Sequence, residues 1–186
     1  DGQWTDAKKG GKLAVTNPAT EETVAEVCYG SADDADAAID AAARAARCWR
    51  EMTAYERAAI LMRGTALLRE RIDTIGRLLT MEQGKPLAEA RLEVLANATF
   101  FEWYAEEATR VYGEIVPSHF RNKRLFIFHQ PIGVCAMISP WNFPLFLQGR
   151  KIAPALAAGN TCVCRASTVT PLNLIKLFEC MEDAGV

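Results

Sequence analysis

Residues 133–186 alternate short apolar runs with helical patterns, and this alternation constrains the possible folds more than any other feature of the chain. Residues 133–138 form an apolar run between glycine and proline, which is typical of a buried parallel strand. The sequence next predicts a helix over 145–158 and a second buried strand over 161–165. Another helix is expected to begin at Thr170 as its N-cap, with a proline in the first helical position. Strand, helix, strand and helix in this order open a doubly wound α/β sheet.

The part of the chain before this alternation is mostly helical. Capping boxes at 31–34 and 53–56 each precede residues with helical spacing, so a helix is predicted after each of them. The second of these helices is expected to continue to the stop signal at 84–86. A third helix is predicted over 87–111, and Trp103 on this helix is assigned to the core.

Two β-rich segments flank the helical part. Residues 1–30 contain two strand-like pieces around a turn at 17–20, which predicts a hairpin arm. A second β-rich stretch covers 125–129.

Composition excludes several classes of partner. Half of the 186 residues are hydrophobic (50%), which is enough for the core of one domain or somewhat more. The formal net charge of -2 provides no basic face for nucleic acid. No run of about 18 apolar residues and no signal-peptide pattern occurs, so we expect no membrane association and a cytoplasmic location, or the mitochondrial matrix after processing.

The six cysteines indicate no metal site. They are scattered among apolar neighbours and have neither CxxC nor Cys/His ligand spacing. We therefore expect reduced, buried thiols that behave as small hydrophobic side chains.

The loop over 138–144 is the strongest candidate for chemistry. It is irregular, lies between prolines and follows a buried strand, and open α/β sheets bind ligands at the carboxyl ends of their strands. An amide such as that of Asn142 could donate a hydrogen bond to a developing oxyanion there. The residue types alone fit an ordinary strand-to-helix turn with a buried Trp141 slightly better.

Three motifs carry a resemblance to a known family. They are Pro-Ile-Gly-Val at 131–134, Pro-Trp-Asn-Phe-Pro at 140–144 and Pro-Ala-Leu-Ala-Ala-Gly-Asn-Thr at 154–161. Together with Asn-Pro-Ala-Thr at 17–20 and Glu-Gln-Gly-Lys-Pro at 82–86, they make nearly the whole chain resemble the aldehyde dehydrogenase superfamily. The segments 84–90 and 101–107 resemble its succinate-semialdehyde dehydrogenase branch in particular.

The resemblance implies roles for individual residues. Asn142 matches the amide of the oxyanion hole, which stabilises the tetrahedral adduct formed when a thiolate attacks the aldehyde. Arg165 stands where the family has a lysine that hydrogen-bonds the adenosine ribose, and Ala166 replaces the proline beside it. Strictly NAD-dependent relatives often have a glutamate at the place of Thr168, so NADP is expected here at least as readily as NAD. The alternative is that Arg165 simply replaces the lysine and that NAD is kept. The residues implied to contact NADP or NAD are Ile138, Ser139, Pro140, Trp141, Arg165, Ser167 and Thr168.

Arg150 is the residue implied to bind the substrate. It follows Asn142 by eight residues, which is about two helical turns, so it falls near the same helix face about 12 Å along the axis. In the semialdehyde branch an arginine at this spacing binds the far carboxylate of the substrate. One alternative is that Arg150 pairs with a neighbouring acidic residue. Another is that the enzyme oxidises lactaldehyde, glycolaldehyde or glutaric semialdehyde.

The family's remaining catalytic groups match nothing in this chain. None of the six cysteines has the nucleophile's motif, and the general-base Glu-Leu-Gly-Gly and the Gly-Ser-Thr cofactor turn are absent. Without the thiolate adduct no hydride can leave the aldehyde, so the 186 residues alone are expected to be inactive.

The resemblance implies the first part of a larger α/β fold. It comprises a strand arm (1–30), a helical part of the cofactor domain (31–113), oligomerisation strands (114–131) and the first strand-helix-strand-helix of a Rossmann-like domain (132–186), with the catalytic domain absent. A homo-oligomer, dimer or tetramer, is implied for the complete protein. Two parallel strands alone leave an open apolar edge, so the chain is expected to be part of a longer product. The rival hypothesis is a non-catalytic interaction module derived from the family.

Overall fold

A parallel pair of strands forms the centre of the structure. The computed structural model describes residues 2–186, in which β5 (Val134–Ile138) pairs in parallel with β6 (Thr161–Arg165). Helix α5 (Pro144–Ala157) joins the two strands, and helix α6 (Leu172–Ala184) follows the second one. This confirms the predicted order of strand, helix, strand and helix.

A layer of four helices packs beside these elements. Its members are α1 (Ala32–Glu51), α2 (Ala54–Glu70), α3 (Ile72–Gln83) and α4 (Leu87–Glu107), with a 3-10 turn at Ala108–Arg110. Helix α2 packs on α4 and α6, and α4 packs on α5. Large apolar side chains from both parts, such as Leu61, Phe101, Leu145 and Leu177, are fully buried between them. The helical layer and the sheet therefore share one core.

Two sequence predictions about the helical layer are wrong. The helix predicted from 54 to 84 is broken at Arg71, which leaves helical geometry at φ -92° and ψ 13°. The guanidinium of Arg71 pairs with Asp183 at the end of α6, at 2.5 Å, and α3 packs on both α4 and α6. Trp103 is 59% exposed and does not belong to the core. Both outcomes depend on which neighbours the helices meet, which local spacing does not encode.

Two antiparallel hairpins lie outside this core. Strands β1 (Lys12–Thr16) and β2 (Thr23–Cys28) form the predicted arm around a turn in which Asn17 Oδ1 accepts the amide of Ala19. Strands β3 (Glu114–Val116) and β4 (Leu125–Ile127) form the second hairpin, and most of its residues are exposed. No helix among residues 2–186 combines the length and the apolar character needed to cross a membrane.

Candidate functional site

The two strands end together, and this places both candidate loops at one edge of the sheet. Ile138 and Arg165, the last residues of β5 and β6, are paired across the two strands. The loop 139–143 and the loop 166–171 leave from this carboxyl edge, where open α/β sheets bind ligands.

The first loop presents several side chains to solvent. Ile138 and Trp141 are more than half exposed, and Pro140 and Asn142 are exposed as well. The alternative of a buried Trp141 is therefore wrong. The side-chain amide of Asn142 makes no hydrogen bond with residues 2–186, so it is available to a ligand. The Ser139 hydroxyl is buried and has no partner among these residues.

Lys85 and Glu93 hold this loop from the helical layer. Lys85 Nζ forms an ion pair with Glu93 and donates a hydrogen bond to the backbone carbonyl of Asn142 at 3.2 Å. Glu93 Oε1 accepts the backbone amides of Leu145 and Phe146 at 3.0 and 3.1 Å, and so caps the start of α5. From the sequence, Lys85 belongs to a helix stop and to a family motif, and no prediction concerned Glu93. An acidic residue between apolar helix positions was the available signal.

A third contact joins α5 to the end of β5. Lys151 Nζ donates a hydrogen bond to the backbone carbonyl of Ile138. No sequence prediction concerned Lys151. Lys151 thus holds the last residue of β5, directly before the loop, and Lys85 holds Asn142 within it.

The second loop carries the other residues assigned to the cofactor. The side chains of Arg165 and Thr168 are exposed, whereas Ser167 is half-buried. The carbonyl of Arg165 accepts a hydrogen bond from Gln148 Nε2 of α5 at 2.9 Å. Ser167 uses its oxygens inside the loop, because its Oγ accepts the amide of Val169 and its carbonyl accepts the amide of Thr170. Its hydroxyl therefore has a local structural role.

Helix α6 begins differently from the prediction. Thr170 is not the N-cap, because Pro171 occupies that position and the buried Thr170 hydroxyl has no partner among the described residues. Glu82 of α3 caps the helix instead, since its carboxylate accepts the amides of Leu172 and Asn173 at 2.8 and 2.9 Å. Burial raises the pKa of Glu82 to about 7, although the two backbone donors act in the opposite direction.

A cavity of about 430 Å³ brings parts of the two loops together. Trp141 and Thr168 both line it, opposite strand β1 and Glu82. The other seven residues assigned by the sequence analysis do not line this cavity. A second cavity of about 420 Å³ is largely apolar and lies between α1 and α6, at Cys162 and Phe178, so it does not involve the assigned residues.

Arg150 is exposed on α5. Its guanidinium carbon lies 6.0 Å from the centre of the Phe146 ring, and it forms no ion pair with any residue from 2 to 186. The alternative in which Arg150 pairs with a neighbouring acidic residue is therefore wrong for residues 2–186. Its charge is available for an anionic ligand.

The cysteines of β6 are unsuited to nucleophilic attack. Burial raises the pKa of the Cys164 thiol to about 12, and burial with the neighbouring Cys164 and Cys135 thiols also raises the pKa of Cys162. Both thiols are therefore protonated at neutral pH, and the thiol form is a poor nucleophile. Residues 2–186 contain no group of His, Cys, Asp or Glu that could hold a metal ion.

Curated relatives match the chain from end to end. The succinate-semialdehyde dehydrogenase [NADP(+)] GabD of Escherichia coli is 48% identical over 186 residues, which is 100% of this chain and 39% of the relative. A glutarate-semialdehyde dehydrogenase of Pseudomonas putida is 47% identical over the same share of both chains. A 3-sulfolactaldehyde dehydrogenase of Pseudomonas putida is also 47% identical, over 38% of its length. The chain thus spans less than two fifths of these relatives.

Solved structures agree with the fold. An aldehyde dehydrogenase from Brucella melitensis biovar abortus has a TM-score of 0.97 and 47% identity, covering 99% of this chain and 38% of that one. A point mutant of betaine aldehyde dehydrogenase from Staphylococcus aureus, solved in complex with NAD+, has a TM-score of 0.96 and 34% identity over 100% of this chain and 38% of its own. The family model described as "Aldehyde dehydrogenase family" matches residues 4–186. On these matches, the chain belongs to the aldehyde dehydrogenase family and corresponds to its N-terminal part.

Proposed function

We propose that the complete gene product containing this chain oxidises an aldehyde with a distant anionic group to the acid, using NADP or NAD. Succinic semialdehyde is the substrate that we favour. The observation that carries the proposal is the pair of available groups on one loop-helix unit, the unpartnered Asn142 amide and the unpaired Arg150. The substrates named for the three relatives support it, because succinate semialdehyde, glutarate semialdehyde and 3-sulfolactaldehyde all carry an acid group at a distance from the aldehyde.

Asn142 would stabilise negative charge on the reacting oxygen. When a nucleophile adds to an aldehyde, the carbonyl oxygen becomes an oxyanion, and a preorganised amide donor lowers the energy of that state. Its side chain is exposed, while its backbone carbonyl is held by Lys85. The thiolate and the general base are expected from the part of the relatives that this chain does not match, because none of the six cysteines has the nucleophile's motif.

The residues at the sheet edge fit a nicotinamide cofactor. A buried hydroxyl without a partner at Ser139, an exposed cation at Arg165 and the exposed surfaces of Ile138, Pro140 and Trp141 provide a donor, a charge and an apolar platform. The loop that carries Ser167 and Thr168 would lie at the adenosine side of the cofactor, and the Thr168 side chain there is uncharged. When bound, the cofactor accepts the hydride from the aldehyde carbon.

The test compares a charged with an uncharged aldehyde. In the complete gene product, Arg150→Ala should lower kcat/KM for succinic semialdehyde by roughly 10- to 150-fold, because a charge-assisted pair of about 1.5–3 kcal/mol is lost. The value for butanal should stay within a factor of about two. The readout is the absorbance of the reduced cofactor, with NADP and NAD tested separately.

Two controls make the result interpretable. Arg47→Ala removes an exposed arginine of α1 that pairs with Glu51, and it should leave both substrates unaffected. The 186-residue chain alone should give no turnover above a buffer blank. Equal losses for both aldehydes in Arg150→Ala would assign Arg150 a structural role, and no turnover by the complete gene product would favour the non-catalytic module.

A further inference from the structure

The ion pair between Lys85 and Glu93 is buried beside the Asn142 loop. The Lys85 side chain is 8% exposed and that of Glu93 is 1% exposed. Removing two charges from water is costly, and apolar side chains of similar size would often stabilise a protein equally well. The pair therefore calls for a role besides stability.

The Lys85 ammonium has three neighbouring partners. The ammonium contacts the Glu93 carboxylate, the Asn142 carbonyl and the ring of Phe143, whose centre lies 4.2 Å away. An ammonium has three donor hydrogens and no acceptor, so two hydrogen-bond acceptors and one aromatic ring suit it. Two of them belong to the loop that carries the exposed amide.

The backbone around Lys85 is held in place. Gly84 ends α3 in the left-handed region with φ 87°, and Pro86 precedes α4. The amide of Lys85 donates a hydrogen bond to Gln83 Oε1 at 3.0 Å. A side chain at Gly84 would also meet Pro18 at 2.8 Å, so only glycine fits. The ammonium is thus presented from a well-defined turn.

Glu93 holds the other end of the same loop. One of its carboxylate oxygens accepts the amides of Leu145 and Phe146, and the other contacts Lys85. The segment from Asn142 to Phe146 is therefore tied to the helical layer at its carbonyl and at its amides. A bond to the Asn142 carbonyl restrains the rotation of that peptide, and hence the direction in which the Asn142 side chain leaves the backbone.

We propose that Lys85, oriented by Glu93, is the positioning residue that aims the Asn142 amide at the reacting oxygen. This inference rests on the function proposed above. Oxyanion stabilisation depends on donors held at the place where charge develops, and a displacement of about 1 Å can cost about 100-fold in rate. Lys85 contacts neither substrate nor cofactor in this role.

The decisive variant removes the Lys85 bond without leaving a buried charge. Lys85→Met combined with Glu93→Gln keeps an oxygen acceptor at the start of α5 and removes both charges. In the complete gene product, this variant should lower kcat/KM for the aldehyde at least roughly tenfold. The cofactor Kd, measured by fluorescence titration, should stay within about twofold of the wild-type value. A general loosening of the structure would instead change both kcat/KM and the cofactor Kd.

A double-mutant cycle tests whether Lys85 acts through Asn142. The same pair of substitutions in an Asn142→Ala background should cause little further loss, because the group being aimed is absent. Lys176→Met with Glu179→Gln removes an ion pair of α6, at 2.7 Å, and serves as the matched control with no effect on kcat/KM.

The outcomes separate the two proposals. A wild-type gene product without aldehyde oxidation, or an Asn142→Ala variant with full activity, would overturn the proposed function and this inference with it. A large loss in Asn142→Ala together with wild-type rates in the Lys85→Met/Glu93→Gln variant would overturn the inference alone. Equal, additive losses in both backgrounds would also overturn it, since Lys85 would then act independently of Asn142.

Discussion

Asn160, a residue of the family motifs, has a role in the architecture. Asn160 Oδ1 accepts the amides of Ile132 and Gly133 at 2.7 and 3.1 Å, and its Nδ2 donates a hydrogen bond to the carbonyl of Ala155 at 3.2 Å. It thereby joins the start of β5 to the turn after α5. A motif residue is therefore not by itself a ligand-binding residue.

Thr168 is the residue that we expect to control the choice of cofactor. It is exposed, and Arg165, three positions earlier, is an exposed cation without an ion pair to residues 2–186. We predict that the complete gene product uses NADP at least as well as NAD. Thr168→Glu should shift the ratio of kcat/KM values toward NAD by roughly tenfold, because a carboxylate repels a 2′-phosphate.

Thr168→Gln is the control for this change, since glutamine has nearly the same size as glutamate and carries no charge. It should leave the NADP to NAD ratio close to that of the wild type. A strong NAD preference in the wild type that Thr168→Glu does not alter would contradict the prediction.

Helices α5 and α6 are capped at both ends by the helical layer. Glu93 and Glu82 accept the amides at their N-termini. At the C-termini of α5 and α6, two arginines of α2 donate hydrogen bonds to backbone carbonyls. Arg57 donates to Ala157 at 3.1 Å, and Arg63 donates to Ala184 at 3.0 Å. Negative charge at the start and positive charge at the end of a helix both stabilise it. The same contacts place the two loops of the candidate site.

The cap of α6 should make stability depend on pH. Burial, with a smaller contribution from the charge of Glu93, raises the pKa of Glu82 from 4.5 to about 7. As pH rises from 4.5 to 7, the unfolded chain loses this proton first, so the free energy of unfolding falls by up to roughly 3 kcal/mol. The contribution of Glu82 to the free energy of unfolding is therefore fully present below pH 4.5 and lost above pH 7.

Glu82→Gln should remove that contribution while keeping an acceptor for the amides. We would measure thermal unfolding of the complete gene product between pH 4.5 and 8. As pH rises, the Tm of the variant should decrease less than that of the wild type. Glu26→Gln, at an exposed position of β2, is the control and should follow the wild-type curve. A Glu82→Gln curve parallel to the wild type would refute the assignment.

At the scale of the whole molecule, the hairpin of β3 and β4 stands apart from the core. Its large apolar residues are exposed, among them Ile115 at 75% and Phe126 at 53%, and the two strands pack mainly on each other. Exposed apolar patches of this kind mark association surfaces, and unpaired strand edges invite pairing. We propose that a second copy of the protein covers this hairpin.

Phe126→Lys should therefore weaken self-association of the complete gene product. Sedimentation velocity at micromolar concentration should show a smaller species than the wild type, because a charge would be buried in an apolar contact. Tyr55→Lys, which changes an aromatic residue that is 76% exposed on α2, should leave the sedimentation coefficient unaltered. An unchanged coefficient for Phe126→Lys would contradict this surface.

Local chemistry determined the elements that the sequence predicted correctly. Both capping boxes form as predicted, with Asp34 accepting the amide of Ser31 at 2.8 Å and Glu56 accepting the amide of Thr53 at 2.7 Å. Strand β6 has the predicted bounds. These features depend on residues three or four positions apart or on a short apolar run, so a single stretch of chain contains all the information.

Only the tertiary structure decided how the candidate site is held. The cap of α5 comes from Glu93, 52 positions before Leu145, and the cap of α6 comes from Glu82, 90 positions before Leu172. The contact of Lys85 with the Asn142 carbonyl joins residues 57 positions apart. Because such contacts arise only when packing brings distant segments together, periodicity and capping rules predicted the loops but not the groups that orient them.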